Sequence, residues 1–542
     1  MPPVARLFTN GRGLAVMSLL CGLAVGGCGT SQSGVDSAVA DGPSGTAGST
    51  GAGGAGGSGG AGTGTGGGAA GGVGGTGGAA GSAVAGAGGA GGGGAGGVGG
   101  TGSVAGAAGG GAGASGTGGG AGAVGAGGTG GRGGGGGGGG RGGQGGTAGT
   151  GTGTGGTAGG GGSAGAGGGA HAADAAFCAQ QITQAASDFT RFRTTYTNPS
   201  SPPRSAKGGT VRSASGEDWT KGFPAGSYWL LYERTRDQAW RTAAESFTAA
   251  LAPLAALRNT HDVGFLIYNS YGNGYRLTQT AAYRTVLLEA AASLASRYDA
   301  EVGCTRSWDF GSWTFPVIID NMMNLELLFR ATMLGGEARF AQIGTSHAAT
   351  TSTNHFRADS SSYHVVDYNP TTGAVIRKQT NQGVADESAW ARGQAWGLYG
   401  FTMSYRETND ARFLDRATRI AEFYTKSARM PADGVPYFDF DAPVRDDVPD
   451  HRDASAGAIA ASGLFELAKY AGGAAAESYR VFAIKVVRSL SSTAYRAATG
   501  TNSQFLLMHS VGNYPQNDEI DVAINYADYY YLEALGRCAD LP

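Results

Sequence analysis

Residues 174–542 predict an all-α domain of repeated helical hairpins, either an α-solenoid or a closed α/α toroid. Helix–turn–helix patterns recur, strand signals are few, and the conspicuous side chains gather at turns and helix starts. That last observation favours a toroid, whose loops surround a central pocket. The repeat is clearest at Tyr232-Glu233-Arg234-Thr235-Arg236-Asp237-Gln238-Ala239-Trp240, followed by Ala243, Ala244 and Phe247. It returns at Tyr405-Arg406-Glu407-Thr408-Asn409-Asp410-Ala411-Arg412-Phe413, followed by Ala417, Ile420, Ala421 and Phe423. Each reads as a helix end, a polar turn, then a second helix with apolar residues at helical spacing. Looser copies surround Gly335-Gly336-Glu337 and Gly472-Gly473, and 281–298 and 457–470 read as further helices. Ser362–Tyr368 and Gly373–Gln379 predict one β-hairpin around Asn369-Pro370-Thr371-Thr372.

Two segments precede this domain. In residues 1–28, Arg6 and Arg12 flank the start of an apolar run, 14–25, that ends at Gly26-Gly27-Cys28. The run is short for a membrane span and has the layout of an export signal. Small residues before Cys28 resemble a bacterial lipoprotein signal, which implies cleavage before Cys28 and lipidation of its thiol. An ordinary secretory signal with an incidental Cys is the alternative. Gly29, in place of an acid, fits passage to the outer membrane. The expected location is the bacterial cell envelope, on an outer-membrane lipid anchor facing the periplasm or the surface.

Residues 29–173 predict a disordered linker. From Ser31 to Gly169 the chain is almost wholly Gly, Ala, Ser and Thr, and holds most of the 107 glycines. After Asp41 its only charges are Arg132 and Arg141. Such a chain cannot bury enough apolar surface to offset its ordering entropy, and without a Gly-X-Y period it is not collagen. A Gly-rich coil of this length spans on the order of 60–70 Å end to end.

The net charge of −2, with no basic stripe, argues against nucleic acid as a partner. Cys178, Cys304 and Cys538 remain after processing. Export permits disulfides, and Cys178 and Cys538 can staple the domain if its ends meet. No Cys-x-x-Cys or Cys/His spacing suggests a metal site.

Two acids stand in apolar stretches: Asp262 in His261-Asp262-Val263-Gly264-Phe265, and Asp320 in Ile318-Ile319-Asp320-Asn321-Met322-Met323-Asn324. Apolar surroundings raise a carboxyl's pKa, and a carboxyl kept neutral near pH 7 can act as a general acid. Equally, Asp320 can cap the helix that begins at Asn321, and Asp262 can end a turn. In Trp390-Ala391-Arg392-Gly393-Gln394-Ala395-Trp396, bulky side chains alternate with small ones. Tryptophan faces stack on sugar rings and Arg forks bind carboxylates or sulfates. The competing reading is core packing. Asp218-Trp219 and Trp308-Asp309 add similar pairs. His355 and His364 raise a metal alternative, but their spacing fits no common zinc pattern.

With these residues in view, the chain resembles the unsaturated glucuronyl hydrolases of glycoside hydrolase family 88. The matching segments are His261–Phe265, Ser307–Phe310, Ile319–Asn324, His355–Tyr368, Gln382–Phe401, Asp453–Ala460 and Tyr526–Leu532. They span about residues 215–536. The resemblance implies an (α/α)6 barrel, monomeric and without cofactor or metal, acting on oligosaccharides that carry a 4,5-unsaturated uronic acid at the non-reducing end. It implies Asp320 as general acid and base with Asp262 as its carboxylate partner. His364 and Gln382 then place the water, and His261, Trp219, Trp308, Trp390, Arg392 and Trp396 bind sugar.

The chemistry implied is hydration of a vinyl ether: a proton to C4, water to C5, then spontaneous ring opening. Open alternatives are an ordinary acid/base glycosidase on the same fold, an unsaturated rhamnogalacturonyl hydrolase, and a non-catalytic carbohydrate-binding lipoprotein.

Overall fold

A computed structural model describes residues 165–443 and 451–542, with side chains from 171 onward. The signal 1–28 with Cys28, and the linker up to 164, lie outside the described residues. Among those described, the main helices in chain order are α1 Gly165–Thr195, α2 Gly222–Thr235, α3 Gln238–Ala249, α4 Asn273–Thr278, α5 Ala281–Ala295, α6 Asn321–Met333, α7 Ala338–Asn354, α8 Ala391–Thr408, α9 Ala411–Lys426, α10 Ala454–Leu467, α11 Gly473–Leu490 and α12 Asn525–Ala539. A π-helix, Gly264–Gly272, runs directly into α4.

Turn chemistry makes the hairpins. α2 ends where Arg236 enters the left-handed region, at φ 58°, and the Asp237 carboxylate then accepts the Ala239 N–H to start α3. α8 ends at Asn409, φ 55°, and Asp410 accepts the Arg412 N–H to start α9. Both pairs put a capping acid directly after a left-handed stop, so one helix ends and the next begins within two residues. Between α6 and α7, Gly335 supplies the turn at φ 82°.

Six helices are buried on nearly every side: α2, the π-helix, α6, α8, α10 and α12. They pack in a closed ring, α2 touching both α12 and the π-helix. Helices α1, α3, α5, α7, α9 and α11 bury one stripe each, as α9 does with Phe413, Ala417, Ile420, Ala421 and Tyr424, and surround the ring. This is the (α/α)6 barrel. Because successive inner helices are separated by an outer one running back, the inner helices are parallel and their N-termini share one end. Cys178 of α1 and Cys538 of α12 form a disulfide, Cα–Cα 5.9 Å, tying the first outer helix to the last inner one. Cys304 is free and buried.

The expected hairpin pairs Val365–Tyr368 with Val375–Gln379, and Pro316–Ile318 adds a third antiparallel strand. A four-stranded sheet that the sequence reading missed joins Thr210–Ser213, Pro203–Lys207, Asp518–Ile524 and Ser510–Asn513. The helix expected over 281–298 ends at Ala295, and Tyr298-Asp299 pairs with Cys304-Thr305 instead. α1 begins ahead of Asp174, the expected domain start. Contacts to α11 hold that end: His171 lies 3.1 Å from Glu477, and Asp174 accepts from Arg488 at 2.6 Å.

Candidate active site

Asp320 stands where a strand runs straight into α6. Its φ/ψ of −60°/−28° are helical, and its carboxylate makes no capping hydrogen bond. An N-cap needs extended backbone so that its side chain can turn back to the first N–H groups, so the capping alternative is excluded. Asp320 is 8% exposed, and its Oδ2 has no hydrogen-bond partner among the described residues. Burial is the main cause that pushes its pKa up to about 7. The Arg392 charge opposes the rise, the Asp262 charge adds to it, and the nearby Trp396 indole opposes it weakly.

His364 faces this carboxyl. Its Nδ1 accepts the backbone N–H groups of Asn381 and Gln382, at 3.1 and 3.2 Å. A nitrogen that accepts carries no proton, so the ring hydrogen sits on Nε2. Nε2 has no partner and lies 3.7 Å from Asp320 Oδ2. Burial first, then the Arg392 charge, hold the imidazole pKa well below its usual value, so the ring is neutral. The other imidazole of that stretch, His355, points its Nε2 at the Val317 carbonyl, 3.0 Å away, and is a core residue.

Arg392 is 2% exposed. Its Nη1 donates to Asp453 Oδ2, 3.2 Å, and to the Val511 carbonyl; its Nη2 donates to Gln382 Oε1, 2.6 Å, and to the Gly512 carbonyl, 2.7 Å. Four terminal N–H bonds and four protein acceptors leave no free fork for a ligand. The expectation of bidentate substrate binding is therefore corrected: Arg392 acts here as a buried charge and as the holder of Gln382. Arg only donates, so the Gln382 atom facing it is oxygen, and the amide NH2 remains for a ligand.

Asp262 precedes the π-helix and is partly exposed. Thr260 Oγ1 donates to its Oδ2 at 3.0 Å, and His261 Nε2 lies 3.2 Å from Oδ1. The His261 backbone N–H and Nδ1 both point at the Ser307 carbonyl, at 3.0 and 2.9 Å, so Nδ1 is a donor. His261 is 3% exposed. Its ring, anchored on the Ser307 carbonyl, packs beside Asp262 and offers no surface to sugar.

The tryptophans divide. Trp396 is 0% exposed, between Phe265 and Tyr530. Trp390 is buried against His364, ring centroids 4.5 Å apart, with the Arg392 guanidinium over its face at 4.5 Å. Neither offers a stacking face, which corrects the sugar-stacking expectation for both. Trp308 is buried too, stacked at 4.9 Å on the exposed ring of Phe310. Trp219 is open. It stacks on Tyr526 at 5.1 Å and, with Phe310, Gln382 and Asn513, lines a cavity of about 290 Å³.

Three contributors escaped the sequence reading. Tyr526 and Gly512-Asn513, at the end of the strand Ser510–Asn513, complete that cavity. Buried Asp439 accepts from Ser388 Oγ, 2.7 Å, and Val384 N, 2.9 Å, and so pins the loop that carries Gln382. The Phe438-Asp439-Phe440 alternation was the available signal. A larger cavity, about 580 Å³, opens between the C-terminal halves of inner helices, where Arg276, Arg406 and Arg537 are already paired with glutamates. It is at the end of the barrel opposite the two acids.

No family model matches the chain. An unsaturated glucuronyl hydrolase of Formosa agariphila is 45% identical over 334 residues, which is 61% of this chain and 82% of that protein. A crystal structure of an unsaturated glucuronyl hydrolase specific for heparin superposes with a TM-score of 0.65 at 47% identity, covering 67% of this chain and 97% of the other. An unsaturated glucuronyl hydrolase mutant from Streptococcus agalactiae, complexed with dGlcA-GalNAc6S, gives a TM-score of 0.57 at 28% identity, over 66% and 91% of the two chains.

Proposed function

This chain belongs to the unsaturated glucuronyl hydrolases of glycoside hydrolase family 88, enzymes that act on oligosaccharides ending in an unsaturated uronic acid, and we propose that Asp320 is its general acid and base. The observation that carries the assignment is the uncapped, desolvated carboxyl of Asp320, with Oδ2 unpartnered and a pKa near 7. Such a group holds a proton at neutral pH and can also release it.

The unsaturated sugar is a vinyl ether across C4, C5 and the ring oxygen. Asp320 delivers its proton to C4, and cationic character develops at C5 and the ring oxygen. Asp262, on the same rim, stabilises that charge. Water then adds at C5 and returns a proton to Asp320. The 3.7 Å gap between His364 Nε2 and Asp320 Oδ2 suits a water about 2.8 Å from each. Nε2–H donates to its oxygen while the water donates to Oδ2. The Gln382 NH2, fixed by Arg392, supplies a second donor. The C5 hemiketal opens to a ketone, which leaves a hemiacetal at C1 that expels the remaining sugar. One water is consumed and the acid ends as it began. The positive ends of the parallel inner helices converge on this mouth and favour the substrate carboxylate. Trp219 and Phe310 offer the neighbouring sugar its apolar contact.

Turnover is followed as loss of the ultraviolet absorbance of the conjugated double bond, with saturated analogues of the same disaccharides as controls. Cleavage of the saturated analogues at a comparable rate overturns the hydration chemistry. A panel of unsaturated disaccharides of different sulfation identifies the parent polymer.

In the cell, the enzyme is a monomer held in the envelope by a lipid on Cys28, with 29–164 as tether. The Cys178–Cys538 disulfide supports export, since such bonds persist in oxidising compartments. Replacing Cys28 by Ala releases activity from the membrane fraction if the anchor is real, and leaves it there if not.

A further inference from the structure

Two asparagines follow Asp320 on α6, and the chemistry above uses neither. Both are buried, Asn321 at 0% and Asn324 at 1% exposure. Asn324, one helical turn beyond Asp320, donates through Nδ2 to the Asp320 carbonyl at 3.3 Å. Its Oδ1 accepts the Phe265 N–H at 2.8 Å. Phe265 lies in the first turn after Asp262, whose own carbonyl accepts the Leu266 N–H at 3.0 Å. First-turn N–H groups lack intrahelical partners, and here the cap comes from a neighbouring helix. Gly264 permits the approach: a Cβ there meets Asn324 Oδ1 at 2.5 Å and its Cα at 2.6 Å.

Asn321 makes a second bridge. Its Nδ2 donates to the Thr305 carbonyl, 2.9 Å, and its Oδ1 accepts from Ser307 Oγ, 2.8 Å. The Ser307 carbonyl holds both the backbone N–H and Nδ1 of His261, the residue beside Asp262. Each segment bearing an acid is thus tied to the other twice, on either side of Asp262, through side chains of one helix turn.

We propose that Asn324 and Asn321 are positioning residues that fix the separation of the Asp262 and Asp320 carboxyls by anchoring the chain around Asp262 to the first turn of α6. The inference rests on those two acids being the reacting pair. Neither asparagine touches the substrate; they act through the acids. A fixed separation also fixes how strongly the Asp262 charge favours the protonated form of Asp320.

The test is the pH dependence of kcat in Asn324→Ala and in Ser307→Ala, each compared with the parent enzyme on an unsaturated disaccharide. Ser307→Ala removes the hydroxyl that donates to Asn321 and accepts the Ile318 N–H at 2.9 Å, and keeps the carbonyl. Loosening either bridge moves the acids apart and admits water, and both effects favour the charged form of Asp320. The alkaline limb of kcat should move to lower pH by about 0.5–1 unit in each variant. KM should change less than about threefold. A folded variant whose melting temperature falls while its alkaline limb stays in place reduces that asparagine to a structural role and overturns the proposal. If Asn324→Ala does not accumulate as folded protein, Ser307→Ala alone decides. Asp320→Asn separates the two levels: if it retains turnover, the underlying assignment fails, whereas an inactive Asp320→Asn with an unmoved limb in the bridge variants refutes only the positioning.

Discussion

Replacing Asp320 by Asn should kill the enzyme and stabilise it. Burial lifts the folded-state pKa of Asp320 from 3.8 to about 7. Between those values the folded protein binds a proton that the unfolded chain releases, so the parent loses stability as pH rises through that window, and the loss is complete above the folded pKa. At about 1.36 kcal/mol per pH unit, the full loss is about 4 kcal/mol. Asn has the same size and no charge to desolvate. The variant should match the parent near pH 4 and exceed it by up to ~4 kcal/mol at pH 8, about 5 °C in melting temperature for a domain of this size. Asp528 is also buried and raised to about 7, but it is present in both proteins and cancels in the difference. Thermal or urea melts at pH 4.5, 6, 7 and 8 read the trend. Turnover of the same variant should fall by about 10²–10⁴. A variant no more stable than the parent at pH 8, or an advantage that does not grow with pH, refutes the claim that burial holds this carboxyl neutral. The general-acid assignment would then lose its physical basis.

Three further outcomes are expected. The kcat of the parent should hold its plateau below about pH 7 and decline above it as Asp320 loses its proton; a profile still rising at pH 8 contradicts this. Trp219→Ala should raise KM by about tenfold, since part of its ring lines the cavity, and lower the melting temperature less than Trp396→Ala, since Trp219 is only half-buried. Trp396→Ala should instead cost about 3–5 kcal/mol of stability, and equal effects of the two on KM would argue against the division drawn here. Reduction of Cys178–Cys538, which are 360 residues apart in sequence, should lower the melting temperature by an amount worth up to about 5 kcal/mol in the chain-entropy view. It should leave KM unchanged below the transition, as measured with and without dithiothreitol.

Much of the barrel was legible because its turns are chemical. Arg236-Asp237 and Asn409-Asp410 each pair a left-handed stop with a capping acid, a signal that needs no tertiary context. The Ser510–Asn513 and Asp518–Ile524 hairpin was hidden for the opposite reason. Glu519 and Asp521 are acids with φ of 54° and 55° inside the second strand, and neither their composition nor their backbone reads as strand. The Trp390–Trp396 string misled through its period. Alternation by two lines one face of a strand, but on a helix successive members are 200° apart and point to nearly opposite sides. In an inner helix of a barrel every side is buried, so bulk and smallness alternate for packing. Gly393 and Gly400 show what the small residues do: a Cβ would meet Trp390 at 2.8 Å and Met322 at 2.4 Å.

The ambiguity at Asp320, cap or acid, was decided by what precedes it. Asp237, Asp410 and Asp453 all have extended backbone, with ψ of 122°, 111° and 92°, and all accept N–H groups of their own helices. Asp320 has ψ −28° because the strand Pro316–Ile318 enters α6 with the Ile319 carbonyl already accepting the Met322 N–H at 3.1 Å. The helical turn thus begins ahead of the acid and carries its carboxyl away from the first N–H groups. Those groups would have lowered its pKa by favouring the ionised form. A helix entered from a strand without a turn residue therefore leaves its first acid uncapped, and burial then raises the pKa. The sequence carries part of this: polar pairs, Thr235-Arg236 and Thr408-Asn409, precede Asp237 and Asp410, whereas apolar Val317-Ile318-Ile319 precedes Asp320. By this argument, inserting a Gly between Ile319 and Asp320 should return the carboxyl to capping geometry. The alkaline limb of any residual activity should then move toward the ordinary carboxylate range, and an unchanged limb in a folded insertion variant would count against the reasoning.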